Sequence, residues 1–199
     1  FISPITQWCE RHGLESTGHF YGEEDPLSGS LCAQSVYRQI KLMGIPGFDI
    51  IGRYVGDRDH CALILGAKIV VSAAIQSGKK RILAECFALN PFNYGYDGLR
   101  KTADWLFACG IDTFAPHAFH YGYGAYQRTD AGKSFFYQDP LYGEYTEFAA
   151  YAGRISNLLS RFSHENEVLL VLPSCGFAEE VPFPMCNTGV YPSDRAKTM

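Results

Sequence analysis

Apolar runs in this chain alternate between short strand-like and longer helix-like segments, and the strand midpoints fall near residues 18, 50, 84, 114 and 170. The early repeats are about 30 residues apart, which is the length of a β-strand plus its crossover helix. Such alternation is the signature of a parallel sheet covered by helices. The reading predicts strands over Glu15–Tyr21, Phe48–Ile51, Arg81–Ala88, Ile111–Ala118 and Val168–Leu172. Helices are predicted at Gln7–His12, Leu31–Met43, Cys61–Gln76, Leu99–Cys109 and about Tyr145–Arg161, with Gly13, Gly44, Gly78 and Gly110 as stops.

The expected class is therefore α/β, of the (β/α)8 TIM-barrel type. Such a barrel typically takes about 250 residues, so 199 residues with five βα units make an incomplete barrel, entered just before its third strand. Residues 1–172 form the partial barrel catalytic domain, and 173–199, rich in proline, form an irregular extension of it. An open doubly wound sheet ranks second, because no G-x-G-x-x-G follows Glu15–Tyr21 and no P-loop occurs.

Composition removes several function classes. With 17 Lys+Arg against 21 Asp+Glu there is no basic surplus for binding nucleic-acid phosphates. The longest apolar stretch, Ala62–Ile75, contains Lys68 and is shorter than the roughly 20 residues of a membrane span, so a buried helix is expected. No signal peptide is read at the start, which leaves the compartment open. The seven cysteines lack a C-x-x-C pair and mostly sit in apolar segments, where thiols behave as small hydrophobes.

In parallel α/β folds the reactive groups collect at the carboxyl ends of the strands. The first end supplies His19, Glu23 and Glu24, and the second Asp49 and Arg53; the third supplies Glu85, and the fourth His117, His120 and Tyr121. Glu85, set within Leu83-Ala84-Glu85-Cys86-Phe87, is the sharpest candidate, since a carboxylate in an apolar strand is costly unless it is paired or does chemistry. The bland alternative is a structural ion pair. His19, His117 and His120 suit hydroxyl recognition or proton steering, or else are satisfied core histidines. Zinc is disfavoured, because His117 and His120 do not stand at H-E-x-x-H spacing.

Between Phe119 and Tyr145, nine aromatic residues alternate with glycines. Rings with polar tips can stack on a sugar, and they can equally form an apolar lid or a partner interface. Carboxylates beside such a loop suggest glycoside hydrolysis, which uses one carboxyl as acid and a second as base or nucleophile.

Short motifs support that suggestion. Trp8-Cys9-Glu10-Arg11-His12-Gly13-Leu14, Thr17-Gly18-His19, Glu23-Glu24, Ile45-Pro46-Gly47-Phe48-Asp49, Ala84-Glu85-Cys86-Phe87, Ala103-Asp104-Trp105, His117-Ala118-Phe119 and Tyr151–Leu159 follow one another in an order and spacing that resembles the barrel of glycoside hydrolase family 106 α-L-rhamnosidases. The resemblance implies a (β/α)8 catalytic domain in a larger extracellular or periplasmic enzyme that removes terminal sugars, with other domains or chains completing the barrel. It implies inversion by a carboxylate acid and base, with Glu85, Glu23 and Glu24 at acidic motif positions. Asp49, His19 and His117 match positions around the sugar pocket, and a divalent cation such as Ca²⁺ supports the site. The motif around Glu85 departs from the family at Asn90-Pro91-Phe92-Asn93-Tyr94, where relatives often carry Gly and Trp.

Overall fold

Strand β2, Ile45–Ile51, sets the architecture. Successive strand residues point to opposite faces. Phe48 and Ile50 are fully buried on one side, while Asp49 between them is only partly covered. Strand β3, Leu83–Ala88, repeats the pattern with Ala84 and Cys86 buried and Glu85 partly exposed. The computed structural model describes residues 1–23, 29, 33, 35–51, 55, 62–90, 94–122, 124, 134–163 and 165–171.

Within these residues the elements run α1 (Ile2–Arg11), β1 (Thr17–Gly18), α2 (Val36–Ile40), β2, α3 (Ala62–Gln76), β3, α4 (Tyr96–Cys109), β4 (Thr113–Pro116) and α5 (Tyr142–Leu159). The strands pair in the order β1-β2-β3-β4, every pair parallel. The chain is thus an α/β fold with a four-stranded parallel half-barrel sheet.

The helices form where the apolar spacing requires them. Helix α3 buries Ala67, Val70, Val71, Ala73 and Ala74, as expected of a segment apolar on most sides. Helix α4 buries Leu99, Ala103, Leu106 and Phe107 along one stripe. It stops at Gly110, whose φ of 106° suits a residue without Cβ, and whose N–H reaches the carbonyls of Leu106 and Phe107 at 3.1 and 3.0 Å. Lys68 from α3 donates to the Cys109 carbonyl at 3.0 Å, placing a cation on the negative end of α4. No helix among the described residues is long and apolar enough to cross a membrane.

Three predicted elements differ. The first strand keeps only Thr17 and Gly18 of Glu15–Tyr21. Ile45 N–H still bonds the Ser16 carbonyl at 2.8 Å, but further along β2 the Asp49 N–H is taken by the Glu23 carboxylate, which also accepts from Phe20 N–H. A side chain has replaced the ladder. The second helix is described only over Val36–Ile40, capped by Ser35 Oγ, and ends before Gly44. Gly44 instead permits close approach of chains, since a Cβ there would stand 3.0 Å from the Ser16 carbonyl oxygen.

The predicted fifth strand does not form: Val168, Leu169, Leu170 and Val171 are 78–85% exposed and belong to no sheet. A strand requires a neighbour for its backbone groups, and this run has none among the described residues. Leu172 and the expected extension 173–199 lie outside the described residues, as do Cys61 and most of the predicted start of the second helix. Cys9, Cys86 and Cys109 are free thiols.

Candidate active site

The carboxyl ends of β1, β2 and β3 bring His19, Glu23, Asp49 and Glu85 together. Asp49 and Glu85 are register partners, so both project from the same face of adjacent strands. His19, just past β1, reaches across β2 and places Nε2 at 2.9 Å from Glu85 Oε2. Contact between the exits of two strands that flank a third follows from the curl of the sheet.

Both ring nitrogens of His19 face acceptors: Nε2 meets Glu85, while Nδ1 lies 3.4 Å from the Phe20 carbonyl and 3.8 Å from Glu23 Oε1. Burial works against the charged ring. The charges of Glu23 and Asp49 and the bond to Glu85 outweigh it, and the His19 pKa is raised above its usual value. Glu23 is the opposite case. Burial pushes its carboxyl up to about 7 even though the Phe20 and Asp49 amides and His19 pull it down. Its side chain has no exposed surface, and both of its oxygens hold backbone amides.

Beyond Glu85 strand β3 breaks its alternation. Between the pairs Asp49↔Glu85 and Ile51↔Ala88, β2 advances by two residues and β3 by three. This is a β-bulge. Simple alternation would put Phe87 on the face of Glu85. The bulge instead turns its ring toward Phe114, Phe135 and Phe148, at centroid distances of 6.3, 6.1 and 5.5 Å. Phe87 and Leu89 have φ of 74° and 55°, a region that bulky residues rarely occupy and that costs of the order of 1–3 kcal/mol each. Past the bulge Leu89 is thrown outward, 59% exposed, and Asn90 is folded in, 6% exposed.

The exit of β4 carries the remaining candidates. His117 N–H extends the ladder to the Cys86 carbonyl at 2.8 Å, and the His117 ring lies 6.4 Å from that of His120. Ser134 Oγ accepts from the amides of His120 and Phe136, at 3.1 and 3.2 Å, and Gln138 donates to the carbonyls of His120 and Tyr121 at 2.8 and 3.3 Å. This knot closes the base of the aromatic segment. The segment divides in two: Phe119, Phe135 and Tyr145 pack against one another and Tyr145 rests on Phe148, whereas Tyr121 is 91% exposed.

His19, Glu23, Asp49 and Glu85 thus form one cluster, and His117, His120 and Tyr121 stand on the neighbouring strand exit. Glu24 and Arg53 lie outside the described residues, as do Tyr123 and Tyr126. Sequence reasoning passed over Asn90. Both its amide atoms, together with His117 Nδ1, are buried and lack a hydrogen-bond partner among the described residues. Left so, each such atom costs about 1–3 kcal/mol. No group of three or more His, Cys, Asp or Glu side chains able to hold a metal ion occurs among the described residues. No protein-family model, curated protein or solved structure matches the chain.

Proposed function

We propose that this chain is the catalytic segment of a glycoside hydrolase that cleaves a terminal glycosidic bond by carboxylate acid/base chemistry, α-L-rhamnosidase-like in substrate class. In this reading the half-barrel belongs to a (β/α)8 barrel whose other strands come from further domains or chains. The observation that carries it is the partly exposed Glu85 carboxylate, hydrogen-bonded to His19 and in register with a second carboxylate, Asp49.

Glu85 is the carboxyl that meets the sugar and exchanges a proton with it, and Asp49 is the complementary carboxylate one strand away. His19 is a positioning residue. It fixes the Glu85 oxygen and keeps a proton beside it, because both ring nitrogens face acceptors. Glu23 acts through His19 and through the backbone of Asp49, having no surface with which to touch a substrate.

Replacing Glu85 by Gln in the full-length protein should lower turnover of aryl glycosides by about 10²–10⁴-fold. Near-wild-type turnover would reject the assignment. The exposed Tyr121, past the exit of β4, favours a second reading, a carbohydrate-binding surface without catalysis. Calorimetric sugar binding with no hydrolysis by the complete protein would select it.

A further inference from the structure

We infer that Asn90 forms a subsite that recognises adjacent hydroxyl groups of a neutral sugar ring. The inference rests on the carbohydrate reading of this strand end and names a residue that reads the ring in place of residues that cleave it.

Three features support it. Asn90 Nδ2 and Oδ1 are both buried without a partner among the described residues, and so is His117 Nδ1 on the exit of the next strand. A carboxamide presents a donor and an acceptor side by side, which matches two neighbouring hydroxyls, one accepting and one donating. It carries no charge, so it suits a neutral ring.

The second feature is the bulge. Ala88 pairs with Ile51, which lies on the same side of β2 as Asp49, so the extra residue transfers the even-numbered positions of β3 from the helix side to the side of Glu85. Asn90 stands two residues beyond Ala88, where β3 ends. The third is the backbone: Phe87 and Leu89 adopt left-handed φ values around the bulge, and strain of this kind persists where surrounding structure holds a functional geometry.

A structural role predicts something different. If Asn90 served only to hold the loop, its amide would be bonded to that loop, and removing it would lower stability. If it awaits a ligand, Asn90→Ala removes two unpaired polar atoms and leaves the unliganded protein as stable as before.

The test measures the melting temperature and, by calorimetry, the binding of free L-rhamnose and its mono-deoxy analogues, in wild type, Asn90→Ala and Glu85→Gln. The expected result is binding at least 10-fold weaker in Asn90→Ala than in wild type, with an unchanged or higher melting temperature. Two of the mono-deoxy sugars, each lacking one of the paired hydroxyls, should bind wild type more weakly than rhamnose does and lose less affinity on Asn90→Ala than rhamnose loses. Equal binding of rhamnose by wild type and Asn90→Ala would overturn the subsite and leave the hydrolase reading intact, as would weaker binding together with a melting temperature several degrees lower. Sugar binding that depends on Asn90 in a protein that hydrolyses no glycoside would sustain the subsite and reject the hydrolase. A wild-type protein that binds none of these sugars overturns the subsite as stated.

Discussion

Phe48 and Asp49 are neighbours in the chain and face opposite sides of one sheet. On the Phe48 side, Ile50, Ala84 and Cys86 are buried under the helices, and a thiol there is held in its neutral form because burial pushes the Cys86 pKa well up. On the Asp49 side stand Glu85 and the reach of His19. The two faces use the same backbone hydrogen bonds for different ends. One side is filled by packing, and the other keeps charged groups close enough to perturb one another. Because the period is two, neither face can be altered in register without altering the other.

The sharpest way to break this contrast is to cut into the packed side. Phe48→Ala should cost about 3–5 kcal/mol in denaturant unfolding, whereas Glu85→Gln on the other side should cost less than about 1 kcal/mol while removing activity. Equal losses of stability would mean that the Glu85 side is structural.

The next effect is on pH. The folded-state pKa of Glu23 lies above its ordinary value of 4.5, at about 7, so the native state retains a proton that the unfolded state gives up between those values. Stability therefore falls as pH rises from 4.5 to 7, by about 3 kcal/mol at most for this group. His19 has the same sign: its folded pKa is raised, so its contribution is fully present below 6.5 and is lost as pH rises through the elevated value. Melting temperatures measured from pH 5 to 8 should decline, and Glu23→Gln should start lower and decline less. A rise across that range would contradict the assignment.

Gly47 tests how closely the first two strands approach. A Cβ at this position would overlap the Gly18 carbonyl, which is backbone and cannot swing aside. Gly47→Ala should cost about 1–3 kcal/mol, read by thermal unfolding. The smallest effect belongs to Tyr121. Tyr121→Ala should leave the melting temperature unchanged and weaken sugar binding by about 0.5–1.5 kcal/mol, the scale of an aromatic stacking contact, as read by calorimetry.

The parts of the fold that could be read in the sequence are those governed by local pattern. Helix α4 and its stop at Gly110 follow from apolar spacing and a residue that tolerates positive φ. Strand β2 follows from its β-rich run, although its start at Ile45 lies three residues ahead of the predicted Phe48. What failed depended on partners. Val168–Val171 has every local mark of a strand and no strand beside it among the described residues, and β1 is cut short by a carboxylate from its own loop.

The site divides in the same way. Glu85 and Asp49 were legible because strand ends concentrate chemistry and the register pairs them. That Glu23 would be sealed between two amides, and that Asn90 would be buried without a partner, depends on backbone conformation at Phe20, Phe87 and Leu89, which residue types do not announce.

The single extra residue in β3 behaves like a shift of reading frame. Deleting any one residue from 86 to 88 would absorb the extra residue and restore plain alternation, leaving the residues beyond it on the same sides of the strand as now. Conservative replacements at Cys86 or Ala88 are tolerable errors of spelling, and a one-codon deletion is absorbed by the bulge, whereas the loss of two codons rewrites everything downstream of Glu85 that the strand presents.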